Sequence, residues 1–371
     1  MNIGVPTEIK SQEARVGLTP DSVRVLVDNG HKIIIQDKAG LGTGFDNFDY
    51  QNSGAGIAYT PEDVYTNSDM IVKVKEPLSS ELSLIQENQI VFTYFHLSTS
   101  SKLTAGLINS KSICIAYETV TNDRGQLPLL IPMSEVAGRM SVQAGAHVLE
   151  KPQLGRGILL GGVASIPPAK VLILGGGTVG ENAAIIAIGM QAEVIIMDKS
   201  DEKLKELYRK FGTDIVTLNS NNIDIGDYIK DCDLLIGAVL IPGANAPKIV
   251  SRQMISSMKK GSVVVDVAID QGGCFETSTP TTHQNPTYLV DGVVHYCVAN
   301  IPGAVPLTST LALNKATLPF VLKLANQGYK DALLNDKHLL AGLNVYKGKI
   351  TYDAIAESLG YESVDPLTII N

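Results

Sequence analysis

Four ionisable residues and one glycine-rich turn hold the chemistry that this sequence could perform. Arg15 stands in a polar loop, Lys75 closes DMIVKVK (69–75), His96 follows QIVFTYF (89–95), and Asp270 closes SVVVDVAID (262–270). A guanidinium presents a planar fork that matches a carboxylate, and an ammonium beside it adds a point charge. An imidazole with an ordinary pKa of about 6.5 gives or takes a proton near neutrality. A carboxylate can stabilise a cationic amine or relay protons to water. Together these types suit a small 2-amino or 2-oxo acid that loses or gains hydride at its second carbon.

The acceptor for such a hydride is suggested by residues 170–198, KVLILGGGTVGENAAIIAIGMQAEVIIMD. An apolar run (171–174) precedes Gly175, Gly177 and Gly180 in G-x-G-x-x-G spacing. A helix-compatible run (181–190) and a second apolar run (194–197) follow, closed by Asp198. Strand, glycine turn, helix and strand form a dinucleotide-binding βαβ unit. Gly175 permits the turn, Gly177 lets backbone approach a pyrophosphate, and Gly180 lets the helix pack on its strand. The N–H groups at the helix start, where Thr178 and Val179 lie, face the phosphates. Asp198 is placed for ribose hydroxyls and disfavours a 2′-phosphate, so NAD is expected over NADP, an expectation tempered by Lys199.

Each residue also has a plainer reading. A single lysine, arginine or histidine near a strand end is more often a solvated charge, and only convergence on one edge argues for function. Lys73 shares a strand face with Lys75 under the two-residue period. Asp266 reads as structural support, and His31, His147, His283 and His295 have no convergent partners. Glu118 could bind a cation or cap a network.

These side chains must be positioned by the surrounding elements. Strands are expected at 2–6, 31–37, 69–75, 89–95 and 112–120, with helices at 20–29 and 102–109. That alternation implies a parallel sheet, at whose carboxyl edge ligands bind. A helix over 133–150 leads to the glycine-turn domain, which continues through strands at 232–240, 262–270 and 292–300. A helix over 307–326 follows, and the tail is too short for a domain of its own. The expected architecture is α/β, with two Rossmann-like doubly wound domains and a cleft between them. Residues 1–130 with 306–371 form a discontinuous substrate domain, and 131–305 the NAD-binding domain.

Composition narrows the classes. The chain has 371 residues, 44% hydrophobic and 18% charged, with net charge −8. That suits about two domains and offers no basic run for nucleic acid or an anionic membrane. Cys114, Cys232, Cys274 and Cys297 are scattered without a C-x-x-C pair, so neither a zinc site nor a disulfide framework is expected. No secretory leader is evident, and no apolar run reaches about eighteen residues. A soluble cytoplasmic protein without a metal centre is the expectation.

The longer motifs amount to a resemblance. IGVPTEIKSQEARVGLTP, VKVKEP, YFHL, IPMSEVAGRMSVQAGAHVLEK and GRGILLGGV resemble the alanine dehydrogenase and transhydrogenase family, as do ILGGGTVGENAA, VVVDVAIDQGG and VANIPGAVPLTST. The match runs to about position 310. The resemblance implies reversible NAD-dependent deamination of L-alanine to pyruvate and ammonium. It assigns Arg15 and Lys75 to the substrate carboxylate, His96 and Asp270 to acid/base work, and Ser134, Asn300 and Ile301 to cofactor contact. It also implies a homohexamer. This chain reads ASIPPA where the family pattern has PGVPPA, and NIPGAVPLTST where it has NMPGAVPRTST. Ile301 thus replaces a methionine, and Leu307 removes a positive charge. The alternatives are the soluble NAD-binding part of a transhydrogenase, a saccharopine-type dehydrogenase, and a catalytically silent NAD-binding protein.

Overall fold

The computed structural model describes residues 1–239 and 246–370. Two compact units emerge, Met1–Met133 with Val305–Asn371, and Ser134–Ala304. Met133 and Ser134 are consecutive residues of one helix, Ile131–Val148.

Among the described residues, eight strands build the sheet of the first unit. They are β1 (Asn2–Val5), β2 (Lys32–Gln36), β3 (Gly56–Ala58), β4 (Met70–Val72), β5 (Ile90–Thr93) and β6 (Ile113–Ala116). The C-terminal segment adds β14 (Leu343–Tyr346) and β15 (Lys349–Ile350). Their order is β15-β14-β6-β5-β4-β1-β2-β3. β1 to β6 are parallel, whereas β14 runs antiparallel to β6 and β15 antiparallel to β14. Every residue of β4, β5 and β6 is buried, as expected where helices cover both faces of a parallel sheet. β1 is followed by β2 on one side and has β4 on the other. The chain reverses direction there, and such a switch point opens a crevice at the carboxyl ends.

The second unit holds β7 (Lys170–Leu174), β8 (Glu193–Asp198), β9 (Ile215–Asn219), β10 (Leu234–Gly237), β11 (Val263–Asp266), β12 (Thr287–Val290) and β13 (Val293–Tyr296). Their order is β12-β13-β11-β10-β7-β8-β9, with the switch point between β7 and β10. Among the described residues only β12 is antiparallel in this sheet; it pairs with β13 across a two-residue turn. That turn is Asp291-Gly292, both with positive φ (52° and 84°), the conformation that Asp-Gly favours in tight hairpins. Both sheets are parallel-dominated and Rossmann-like, so the α/β expectation holds. The strands β3, β9, β12, β14 and β15 were not anticipated from sequence.

Several strands end sooner than their apolar runs suggest. β4 stops at Val72 rather than 75, β5 at Thr93 rather than 95, β6 at Ala116 rather than 120, and β11 at Asp266 rather than 270. Three of these ends share a physical cause: a carboxylate takes the N–H groups that would continue the ladder. Glu8 accepts from Val74 N (2.7 Å) and Lys75 N (3.3 Å). Glu118 accepts from Phe95 N and His96 N. Asp266 accepts from Ala268 N (3.1 Å) and starts the short 3-10 turn Val267–Gln271. β10 ends at Gly237, and Leu240, the last residue of the strand expected over 232–240, lies outside the described residues. The helix expected over 307–326 runs as Pro306–Leu334, interrupted at Gly328 (φ 75°, ψ 157°).

Candidate active site

In the first unit, Arg15, Lys75 and His96 follow β1, β4 and β5, three neighbouring parallel strands, at their carboxyl edge. Arg15 and Lys75 flank the switch point. Sheet order thus sets side by side the three strands that these residues follow.

Arg15 is only 2% exposed. Glu13, two residues earlier, grips it along one edge: Nε donates to Oε1 at 2.7 Å and Nη2 to Oε2 at 2.6 Å. Nη1 lies 3.0 Å from the Met133 sulfur. Burial alone would pull the guanidinium down, but the hydrogen bonds and charge of Glu13 hold it above its ordinary value. A charge this deep is tolerated because its partner is equally deep and bidentate.

Lys75 is half-buried, whereas Lys73 is enclosed. The Lys73 ammonium sits 2.7 Å from Glu81 and 3.3 Å from Glu8, so its part is structural. The two lysines do not share a strand face, because β4 ends at Val72 and the two-residue period ends with it. Burial raises the Glu8 carboxyl, opposed by Lys73.

His96 is exposed and takes a left-handed backbone conformation (φ 52°, ψ 44°), uncommon for a residue with a side chain. Its ring lies nearly parallel to that of Tyr94, 8° apart with centroids 6.0 Å apart. The Tyr94 hydroxyl donates to the Leu129 carbonyl, which fixes that ring. Sequence reasoning passed over Glu8, Glu13, Tyr94 and Met133. A signal for Glu13 existed in its position two residues before Arg15, and one for Tyr94 in its position two residues before His96; Glu8 and Met133 had none, since their partners lie far along the chain.

In the second unit the glycine turn follows β7 at the switch point. Gly175 has φ 101°, and a Cβ there would stand 2.7 Å from the Ala238 carbonyl. A Cβ on Gly180 would fall 1.8 Å from the Gly175 carbonyl, so helix and turn pack with no room for a methyl. Gly177 is the N-cap of the helix Thr178–Gly189, and no side chain caps that end. Among the described residues, a Cβ on Gly177 would meet nothing within 4 Å. An uncapped twelve-residue helix beginning beside open space fits a pyrophosphate. Asp198 accepts from Gly176 N (2.7 Å) and Ser200 N (2.9 Å), bracing the turn. A carboxylate has about four acceptor sites, so this bracing leaves capacity for ribose hydroxyls.

Asp270 is exposed on the 3-10 turn after β11, four residues beyond the strand end. Asp266 is fully buried, accepting from Ala268 N, Cys274 N and Ser278 Oγ, which supports its structural reading. Asn300 has φ 70° and its carbonyl lies 3.1 Å from the His283 ring nitrogen, a partner not foreseen for that histidine. Ile301 is buried and opens the 3-10 turn Ile301–Ala304, while Ser134 is half-buried near the start of its helix.

A family model described as alanine dehydrogenase/PNT, N-terminal domain, matches residues 4–137, and one described as alanine dehydrogenase/PNT, C-terminal domain, matches residues 141–353. The chain belongs to the alanine dehydrogenase/PNT family. It is 54% identical to an alanine dehydrogenase of Halomonas elongata over 370 residues, the whole of both chains. It is 52% identical to alanine dehydrogenase 2 of Staphylococcus aureus, over 98% of this chain and 99% of that one. The solved structure of an L-alanine dehydrogenase superposes with a TM-score of 0.94 at 51% identity, covering 97% of this chain and 99% of that one. A transhydrogenase from Sinorhizobium meliloti shares the fold, with a TM-score of 0.81 at 24% identity over 95% and 100% of the two chains. Membership of the alanine dehydrogenase/PNT family accords with the resemblance read from the motifs.

Proposed function

We propose that this chain is an NAD-dependent L-alanine dehydrogenase, converting L-alanine and water reversibly to pyruvate and ammonium. The observation that carries this reading is the full-length 54% identity to an alanine dehydrogenase, in a chain whose Arg15, Lys75 and His96 lie in the segments that follow three adjacent strands. Arg15 and Lys75 take the substrate carboxylate, with Glu13 holding the guanidinium in place. His96 moves the proton at the reacting oxygen or nitrogen, and Asp270 is the second acid/base group. Such orientation supplies up to ~7–11 kcal/mol of barrier reduction in favourable cases.

NAD supplies the hydride acceptor when bound. The backbone of Gly175, Gly177 and Gly180 and the N–H groups of Thr178 and Val179 hold its pyrophosphate, and Asp198 accepts from its ribose hydroxyls. Ser134, Asn300 and Ile301 contact the cofactor. On this reading residues 1–130 with 306–371 serve the substrate and 131–305 the cofactor. The working assembly is a cytoplasmic homohexamer.

Initial-rate NADH formation tests the proposal, with L-alanine, D-alanine, L-glutamate, saccharopine or no amino acid, and NADP⁺ in parallel. Turnover confined to L-alanine with NAD⁺ is expected. Tight NADH binding without turnover of any amino acid would sink the reading.

A further inference from the structure

We infer that Glu118 is a positioning residue that sets the backbone from which His96 works, an inference that rests on the acid/base reading of His96. β5 ends at Thr93, and the next segment must leave the sheet while its N–H groups still need acceptors. Glu118 provides them. Its Oε1 accepts from His96 N at 2.6 Å, and both oxygens accept from Phe95 N, at 3.1 and 3.2 Å. The Thr99 hydroxyl donates to the His96 carbonyl at 2.7 Å. The left-handed backbone of His96 is thus held on both sides of its Cα.

Glu118 is itself firmly mounted. It sits two residues past the end of β6, beside Tyr117, which is 1% exposed. The Tyr117 ring packs edge-on against Phe92 (centroids 4.4 Å apart) and Tyr94 (5.0 Å). The carboxylate therefore couples the ends of two adjacent strands, and the Tyr94 ring that lies parallel to His96 belongs to the same assembly. Of the two roles open to Glu118 from sequence, capping is the one its hydrogen bonds show.

Charge matters in this arrangement. An amide at 118 whose oxygen takes the Oε1 position still accepts from both N–H groups, but as a weaker neutral acceptor, and its NH2 group faces Phe95 N where Oε2 accepted, so a donor meets a donor at the base of the turn. A displacement of about 1 Å in a reacting group can cost on the order of 10²-fold in rate. A shorter carboxylate keeps the charge and part of the grip.

The test uses the full chain with L-alanine and NAD⁺, comparing parent, Glu118→Gln, Glu118→Asp, His96→Ala and the double variant Glu118→Gln/His96→Ala. We expect kcat of Glu118→Gln to fall between about tenfold and a hundredfold, with NADH affinity by fluorescence unchanged and Glu118→Asp recovering part of the loss. In the His96→Ala background Glu118→Gln should cost nothing further, because its effect passes through His96. A folded Glu118→Gln with kcat within about twofold of the parent would overturn the inference. So would a full additional loss in the double variant, which marks a general structural role. A parent inert toward L-alanine would overturn the underlying reading and this inference together, whereas an active parent with unaffected Glu118 variants would overturn this inference alone.

Discussion

Arg15 illustrates how a buried charge can be both costly and useful. A guanidinium 2% exposed would be untenable without Glu13, whose two oxygens meet Nε and Nη2 in parallel. His96 differs: it is exposed, and its constraint lies in the backbone rather than in side-chain burial. Replacing His96 with alanine should lower turnover by about 10²- to 10⁴-fold while NADH affinity is kept. Stopped-flow rates and fluorescence titration would check this, and near-normal turnover would remove His96 from the mechanism. The glycines allow a sharper division. Gly177→Ala places its methyl in open space, so stability should change by no more than about 1 kcal/mol while NADH affinity drops. Gly180→Ala drives a methyl to within 1.8 Å of a carbonyl, so its chemical-denaturation midpoint should fall as well. Equal stability of the two variants would contradict that distinction.

At the scale of elements, one device recurs. Glu8, Glu118 and Asp266 each accept backbone N–H groups just past a strand, turning the chain out of the sheet where Lys75, His96 and Asp270 are presented. The device under β4 is coupled to a buried ion cluster of Glu8, Lys73 and Glu81. Lys73→Met should destabilise the fold by about 3–5 kcal/mol, because two buried carboxylates lose their cation. Denaturant unfolding would measure it, and a loss under about 1 kcal/mol would show that the cluster adjusts by protonation. In the second unit, His295 on β13 is fully buried between Thr277 Oγ1 (2.8 Å) and the Val293 carbonyl (3.1 Å). Burial holds its pKa below the ordinary value of 6.5, opposed by its backbone bond to Val293 and by the charge of Asp291. The unfolded chain then binds a proton that the folded chain refuses. Its stabilising contribution is complete above pH of about 6.5 and declines as pH falls toward the lowered folded value, by at most about 1.4 kcal/mol per pH unit. His295→Gln should flatten that part of the Tm–pH curve, and an unchanged slope would count against it.

For the molecule as a whole, the chain leaves its first unit at Met133 and returns to it at Val305, where the last segment adds β14 and β15 to the sheet begun by β1. Among the described residues no helix is long and apolar enough to cross a membrane. If the proposed assembly is right, light scattering should find six copies of a 39.6 kDa chain. A monomeric mass at working concentration would exclude it. Leu307 is 46% exposed on the helix Pro306–Leu334, so no core packing depends on its side chain.

Sequence by itself determined much of this protein. The glycine turn needs its spacing whatever surrounds it, because Gly175 must adopt positive φ and Gly180 must lie against a carbonyl. Apolar runs located the central strands because a parallel sheet covered on both faces must be apolar throughout, whereas β3, β9, β12, β14 and β15, at or near the sheet edges, gave no such run. Long motifs carried the family. The ends of β4 and β5 were decided only by tertiary structure: Glu8 lies 66 residues from Val74 and Glu118 lies 22 from His96, so no local pattern announces that a carboxylate will take those N–H groups. The same holds for which lysine is enclosed. Lys73 and Lys75 are equivalent by type and spacing, and a buried pair of carboxylates contributed by other segments separates them.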